Sequence, residues 1–209
     1  MTRLCLIRHG ESDWNAQRRV QGQIDIPLNA RGRSQAAAVA RGLAAERFTA
    51  LYSSDLQRAL QTAEPMANAR GLPIRPDAAL RERHFGVLQA LTAEEANERY
   101  PQASLRHAAR DPEFDYEYGE SLAIFERRIR ECLVELFRRH AGETILVVTH
   151  GGVLDIAYRQ ATGRPLTSRR DFGLPNGGVN WLEGDIDGWH VILWADVRHL
   201  DAALDELPG

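Results

Sequence analysis

The chain has 209 residues, 44% of them hydrophobic, and a formal net charge of −3. That length and apolar content suit one compact domain over residues 1–209, and the charge gives no support for bulk nucleic-acid binding. All 26 basic side chains are arginine, which excludes a catalytic lysine, a phosphate-loop lysine or a Schiff base.

In chain order, Arg3–Ile7 predicts a short buried strand, a continuous apolar run that ends in Arg8-His9-Gly10. Residues Asp13–Pro27 are polar and irregular and read as a loop. Asn29 is placed as the N-cap of an alanine-rich helix. Phe48–Ser54 reads as a second strand, with Ser54 or Asp55 capping the helix that follows and Gly71 stopping it. Thr92 and Glu95 form a capping box for another short helix. Asp111–Glu120 is acidic and aromatic. It reads as a loop that could close over a pocket with Phe114, Tyr116 and Tyr118.

Leu122, Phe125, Ile129, Cys132, Leu133 and Leu136 recur at helical spacing up to His140-Ala141-Gly142. Thr144–His150 is the clearest buried strand, followed by Gly151-Gly152 and a helix from Val153 to about Thr162. The stretch VNWLEGDIDGWHVILWAD predicts a hairpin with Trp181, Trp189 and Trp194 in its strands. Its outer strand is an edge that a second copy of the chain could pair with, which leaves a homodimer open.

Strands alternating with helices argue for an α/β layered fold with a mostly parallel sheet and an antiparallel addition. Cys5 and Cys132 make no disulfide framework and read as small buried hydrophobes. No signal-peptide pattern and no membrane-spanning run is present, so a cytoplasmic protein with no membrane partner is the expectation.

Ligands of open α/β sheets bind beyond the carboxyl ends of the strands. His9 follows the first strand and His150 ends the strongest one, so adjacent parallel strands would bring both imidazoles to one edge. Gly10 and Gly151 follow them and would let backbone N–H groups approach a ligand. Arg8 sits beside His9, and Arg58 lies in the first turns of the helix after the second strand. Two histidines, two arginines and glycine-flanked turns describe a phosphate pocket. Phosphoryl transfer needs positioned cations more than elaborate covalent chemistry, and a neutral imidazole can itself carry the phosphoryl group. A carboxyl group would then protonate the departing oxygen. Two histidines could also ligate a metal, but a third ligand is missing and the arginines would repel a dication, so no metal is expected.

In these segments the chain resembles the histidine phosphatase superfamily, also called the phosphoglycerate mutase-like family. LIRHGESDWN carries the Arg-His-Gly hallmark, and PLNARGRSQA resembles the stretch ahead of the first helix. LYSSDLQRALQTAE resembles the segment supplying the second arginine, LRERHFG the one supplying the acid, and VVTHGGV the one supplying the second histidine. Five segments in order make the resemblance specific and extend it over nearly the whole chain. It implies a three-layer α/β/α sandwich with a Rossmann-like sheet. It makes His9 the phosphorylated nucleophile, has Arg8, Arg58 and His150 bind the phosphoryl group, and makes Glu82 the proton donor. Asn15 matches a position on the phosphoryl group and Gln21 one near the substrate. Beside the resemblance, Gly151 is placed against the substrate, and Arg83 and His84 would line the substrate side of the pocket or sit at its rim. No cofactor is implied, save 2,3-bisphosphoglycerate as primer if the chain is a mutase.

The family divides between phosphatases and mutases. ERHFGVLQAL looks more like the mutases, and THGGV like the phosphatases, since mutases usually carry an Asn-Ser pair after that histidine. The lysine that follows the Glu-Arg-His run in mutases is matched here by Ala93, and Arg106 and Arg110 do not form the mutases' paired-arginine insert. A phosphatase acting on a small phosphorylated metabolite is therefore the favoured expectation, ahead of a phosphoglycerate mutase. A non-catalytic phosphate-binding module would need neither His9 nor Glu82.

Overall fold

The computed structural model describes residues 1–200. A six-stranded sheet runs β1 (Thr2–Arg8), β2 (Ala50–Ser53), β3 (Ile74–Pro76), β4 (Thr144–Thr149), β5 (Val179–Asp185) and β6 (Gly188–Asp196). Its spatial order is β3-β2-β4-β1-β5-β6. The first four strands in that order are parallel; β5 adds antiparallel to β1, and β6 antiparallel to β5. The helices are α1 (Asp13–Ala16), α2 (Ala30–Gly42), α3 (Gln57–Arg70), α4 (Ala93–Arg99), α5 (Pro101–Ala108), α6 (Leu122–Arg139) and α7 (Gly151–Thr162).

The alternation of side chains along β1 and β4 assigns the layers. Leu4, Leu6, Ile145 and Val147 pack with α6 and α7 through Phe125, Ile129, Leu133 and Ile156. Cys5, Ile7, Leu146 and Val148 pack with α2 and α3 through Val39, Ala59, Ala63 and Met66. A sheet covered on both faces needs no polar side, which is why β1 and β4 read as unbroken apolar runs. Cys5 and Cys132 are buried, unpaired thiols. Among the described residues no helix is long and apolar enough to cross a membrane.

Three local readings change. The expected loop at Asp13–Pro27 opens with the single-turn helix α1, closed by a reciprocal capping box between Ser12 and Asn15. Helix α3 begins one or two residues later than expected, and neither Ser54 nor Asp55 caps it. The Gln57 amide instead donates to Asp25 Oδ1 at 2.7 Å; Ser54 is engaged with His150 and Asp55 with Arg81. Segment 111–120 does not cover a pocket with its aromatics. Tyr116 is buried beside Val87, Leu88 and Ala103, and Tyr118 is exposed. The hairpin tryptophans divide: Trp181 is buried, whereas Trp189 and Trp194 are half-buried and pack against Phe137 and Tyr158.

Candidate active site

β1 and β4 are neighbours in parallel register, with Arg8 opposite Thr149. The next residues, His9 and His150, therefore leave the sheet side by side, their ring centroids 5.1 Å apart. His9 Nδ1 lies 2.7 Å from the Gly10 carbonyl oxygen. A carbonyl only accepts, so Nδ1 carries the hydrogen and Nε2 keeps its lone pair. His9 lines a cavity of about 200 Å³ together with Arg8, Asn15, Gln21, Arg58 and Glu82.

His150 is fully buried beside His9, and its Nε2 is 2.8 Å from Ser54 Oγ. Ser54 Oγ also accepts a long bond from the Leu56 amide, which favours donation of its own hydrogen to His150. The other nitrogen, Nδ1, is then a donor, and it has no partner among the described residues. Burial, followed by Arg58, keeps both imidazoles neutral, well below the usual histidine range. Ring-nitrogen NMR should show both rings unprotonated as the pH is lowered through about 6.5; titration near the free value would contradict this. Because the unfolded chain binds these protons and the folded chain does not, stability should also fall on acidification through that range.

Arg58 is fully buried, which is rare for a cation. Its Nη1 and Nη2 donate to the carbonyls of Ile24 and Gly22, at 2.9 and 2.7 Å. The Gln21–Asp25 stretch thus wraps the guanidinium and fixes it, leaving Nε without a partner. Arg8 is half-buried; it donates to the Leu174 carbonyl and likewise has a free Nε. Burial pulls each arginine down to about 10, partly offset by Glu82. Both therefore remain cations at neutral pH, two charges held apart from any fixed carboxylate partner. The cavity between them is matched to a dianion.

Glu82 is held by two amides. Gly152 donates to Oε2 at 2.9 Å and Arg83 to Oε1 at 2.8 Å. A Cβ at residue 152 would lie 2.1 Å from Glu82 Oε1, so the second glycine of Gly151-Gly152 is required for this approach. Gly10 has a different role from the one expected: its amide donates to Thr62 Oγ1, and a Cβ there would collide with the Gly32 backbone. It lets α2 pack against the loop after β1. Asn15 Oδ1 accepts from Ser12, which turns the amide NH₂ of Asn15 away from that contact.

Gly151 and Arg83 lie on a second, larger cavity of about 1300 Å³, which shares Arg8, Glu82, Phe85 and His107 with the first. Arg83 is buried and donates to the carbonyls of Glu120 and Phe114. Its guanidinium lies 4.7 Å from the centre of the Tyr116 ring, so it braces the wall. Arg19, Ser54, Phe85 and His107 were not expected at the site. Ser54 follows the end of β2, so the strand-end rule that located the histidines covers it too. Phe85 lies three residues after Glu82 in the LRERHFG segment, whereas His107 sits on α5, with no sequence pattern linking it to the strand ends. Among the described residues no group of three or more His, Cys, Asp or Glu side chains converges as a metal-binding set.

Comparison with known proteins gives a match over residues 4–197 to the model of the histidine phosphatase superfamily, branch 1. Phosphoglycerate mutase-like protein 4 of Arabidopsis thaliana is 40% identical over 202 residues, covering 95% of this chain and 86% of the relative. The metal-independent phosphoserine phosphatase of Arabidopsis thaliana is 38% identical over 207 residues, covering 97% and 84%. Bacillus stearothermophilus YhfR superimposes with a TM-score of 0.87 at 36% identity, covering 95% of this chain and 99% of that structure.

Proposed function

The chain belongs to branch 1 of the histidine phosphatase superfamily, and from that membership we propose that it is a metal-independent phosphomonoesterase that passes the phosphoryl group of a small metabolite through His9. The observation that carries this reading is the His9 tautomer. Nδ1–H is tied to the Gly10 carbonyl, which leaves the lone pair on Nε2, and His9 lines a cavity together with Arg8 and Arg58.

The substrate's phosphate dianion sits between Arg8 and Arg58, with the Asn15 amide and His150 Nδ1–H as further donors. His9 Nε2 attacks phosphorus. The N–P bond forms as the ester P–O bond breaks, and Glu82 gives its proton to the departing oxygen. Once the alcohol has left, Glu82 is a carboxylate. It takes a proton from water, whose oxygen attacks phosphorus; the N–P bond breaks, releasing inorganic phosphate and neutral His9. Charge builds on the equatorial phosphoryl oxygens throughout. The fixed arginines stabilise it without having to reorient.

Access of water separates hydrolysis from mutase chemistry, since a mutase must protect its phosphohistidine while the substrate turns over. Glu82 lies on a cavity whose wall includes exposed residues, among them His107, Thr167 and Arg169. Water therefore has a path to the intermediate, which supports hydrolysis. The test follows 3-phosphoglycerate by phosphorus NMR with a trace of 2,3-bisphosphoglycerate, repeated with para-nitrophenyl phosphate in excess EDTA. Inorganic phosphate should appear in proportion to ester lost, with no effect of the chelator. Fast formation of 2-phosphoglycerate without free phosphate would make the chain a mutase, and metal-restored loss with EDTA would overturn the metal-free mechanism.

A further inference from the structure

The large cavity beside the phosphoryl pocket is lined by five arginines, Arg8, Arg83, Arg110, Arg169 and Arg170, against the carboxylates Glu82, Asp155 and Asp171. Most of these charges are already matched. Arg83 donates to two backbone carbonyls. Arg110 donates to Asp155 Oδ2 at 2.6 Å and to the Leu166 carbonyl at 2.7 Å. Asp171 pairs with Arg164. Glu82 accepts from two amides. Arg169 and Arg170 are different: among the described residues neither makes a hydrogen bond or an ion pair with protein.

These two arginines do not sit on a loose loop. The segment between α7 and β5 is fastened along its length. Buried Arg159 donates to the Pro165 carbonyl and to Ser168 Oγ, and Arg110 holds Leu166 from the other side of the cavity. Phe172 stacks on Tyr158 with ring centroids 4.0 Å apart, and the Trp194 indole donates to the Gly173 carbonyl. Asp155 anchors this frame, since its buried Oδ2 accepts from both Arg110 and Arg159. A fastened backbone thus brings two cations to the cavity wall, and an anion there has no protein partner to displace from them. Arg170 lines the same cavity as Arg8 and is not part of the wall of the phosphoryl pocket, so its charge lies beside that pocket and outside it. Two guanidiniums suit the paired oxygens of a carboxylate or a phosphate.

Resting on the phosphomonoesterase reading above, we propose that Arg169 and Arg170 form a second anion site in the large cavity. The preferred substrate is then a phosphomonoester carrying a carboxylate or second phosphate remote from the scissile group. The reacting phosphate occupies the cleft between Arg8 and Arg58, and the organic part crosses Glu82, Phe85 and His107.

Matched pairs of esters test this. O-Phosphoserine against O-phosphoethanolamine, and 3-phosphoglycerate against glycerol 3-phosphate, isolate the carboxylate; sugar bisphosphates against sugar monophosphates isolate the second phosphate. For at least one class, kcat/KM should favour the doubly anionic member by about tenfold or more, and that ratio should collapse in Arg169→Gln/Arg170→Gln. The same pairs are titrated calorimetrically against the His9→Ala protein, with and without the two arginines, so that discrimination is read without turnover. No preference in any pair, or a preference that survives the double substitution, would overturn the proposal. If no ester is hydrolysed, the phosphatase reading fails, and the calorimetric comparison still decides whether the anion site exists.

Discussion

His9→Ala is expected to lower kcat by at least about four orders of magnitude while leaving the fold and phosphate affinity in place. Loss of a covalent nucleophile removes the step itself, and what remains is the residual electrostatic catalysis of the pocket. The substitution costs one local hydrogen bond, from Nδ1 to the Gly10 carbonyl. Gly10 keeps its position through Thr62 and through the Asn176 side chain, which donates to the His9 carbonyl. Arg8 and Arg58 keep their carbonyl partners. Steady-state kinetics on an aryl phosphate, paired with calorimetric titration of inorganic phosphate, separates the two effects. A fall in kcat of less than about tenfold would remove His9 from the nucleophile role.

Glu82→Gln is expected to act selectively. For alkyl esters, whose departing alkoxide needs a proton, kcat should drop by about 10² to 10⁴-fold. For activated aryl esters, which leave as stabilised phenolates, the loss should be far smaller. The substitution also disturbs structure, because the Gln side chain cannot accept from both the Gly152 and Arg83 amides as the two carboxyl oxygens do. Displacement of that kind slows good and poor leaving groups alike. The readout is therefore the dependence of rate on leaving-group basicity, and equal slowing across the series would show that Glu82 is not the acid.

The parts of this protein that could be read from the chain are those governed by short-range rules. β1 and β4 are continuous apolar runs because helices cover both faces of the sheet. Their parallel pairing then brings two strand-end histidines together, so the centre of the site follows from two local patterns and one topology rule. The α2 and α4 caps were legible because Asn29 and Thr92 bond within their own first turn. Ser54 misleads for the opposite reason: it has the composition of a cap, but its partner is His150, 96 residues away in sequence. Gly10 misleads in the same manner, since the atom that forbids its side chain belongs to Gly32.

β3 and α5 carry little signal. β3 is a three-residue edge containing a proline, and α5 is a short helix with one buried residue. Glu82 was located by resemblance alone, because RERH reads as a solvated charged run. Its placement in the site comes from the Gly152 amide at the start of α7. Arg170 could not be singled out among 26 arginines. What sets it and Arg169 apart is a place on the wall of the large cavity without a protein partner among the described residues, a property of the folded chain.

The central claim is that the phosphoryl group rests on His9, and trapping it is the most direct test. The enzyme would be mixed with a fast-leaving aryl phosphate, quenched in alkali during the first turnover, digested, and its peptides read by mass spectrometry. Base-stable, acid-labile phosphate on the peptide containing His9, absent from His9→Ala and discharged by water to inorganic phosphate, is the predicted result. Phosphate on His150, or rapid turnover with no phosphoenzyme at any time point, would contradict the account.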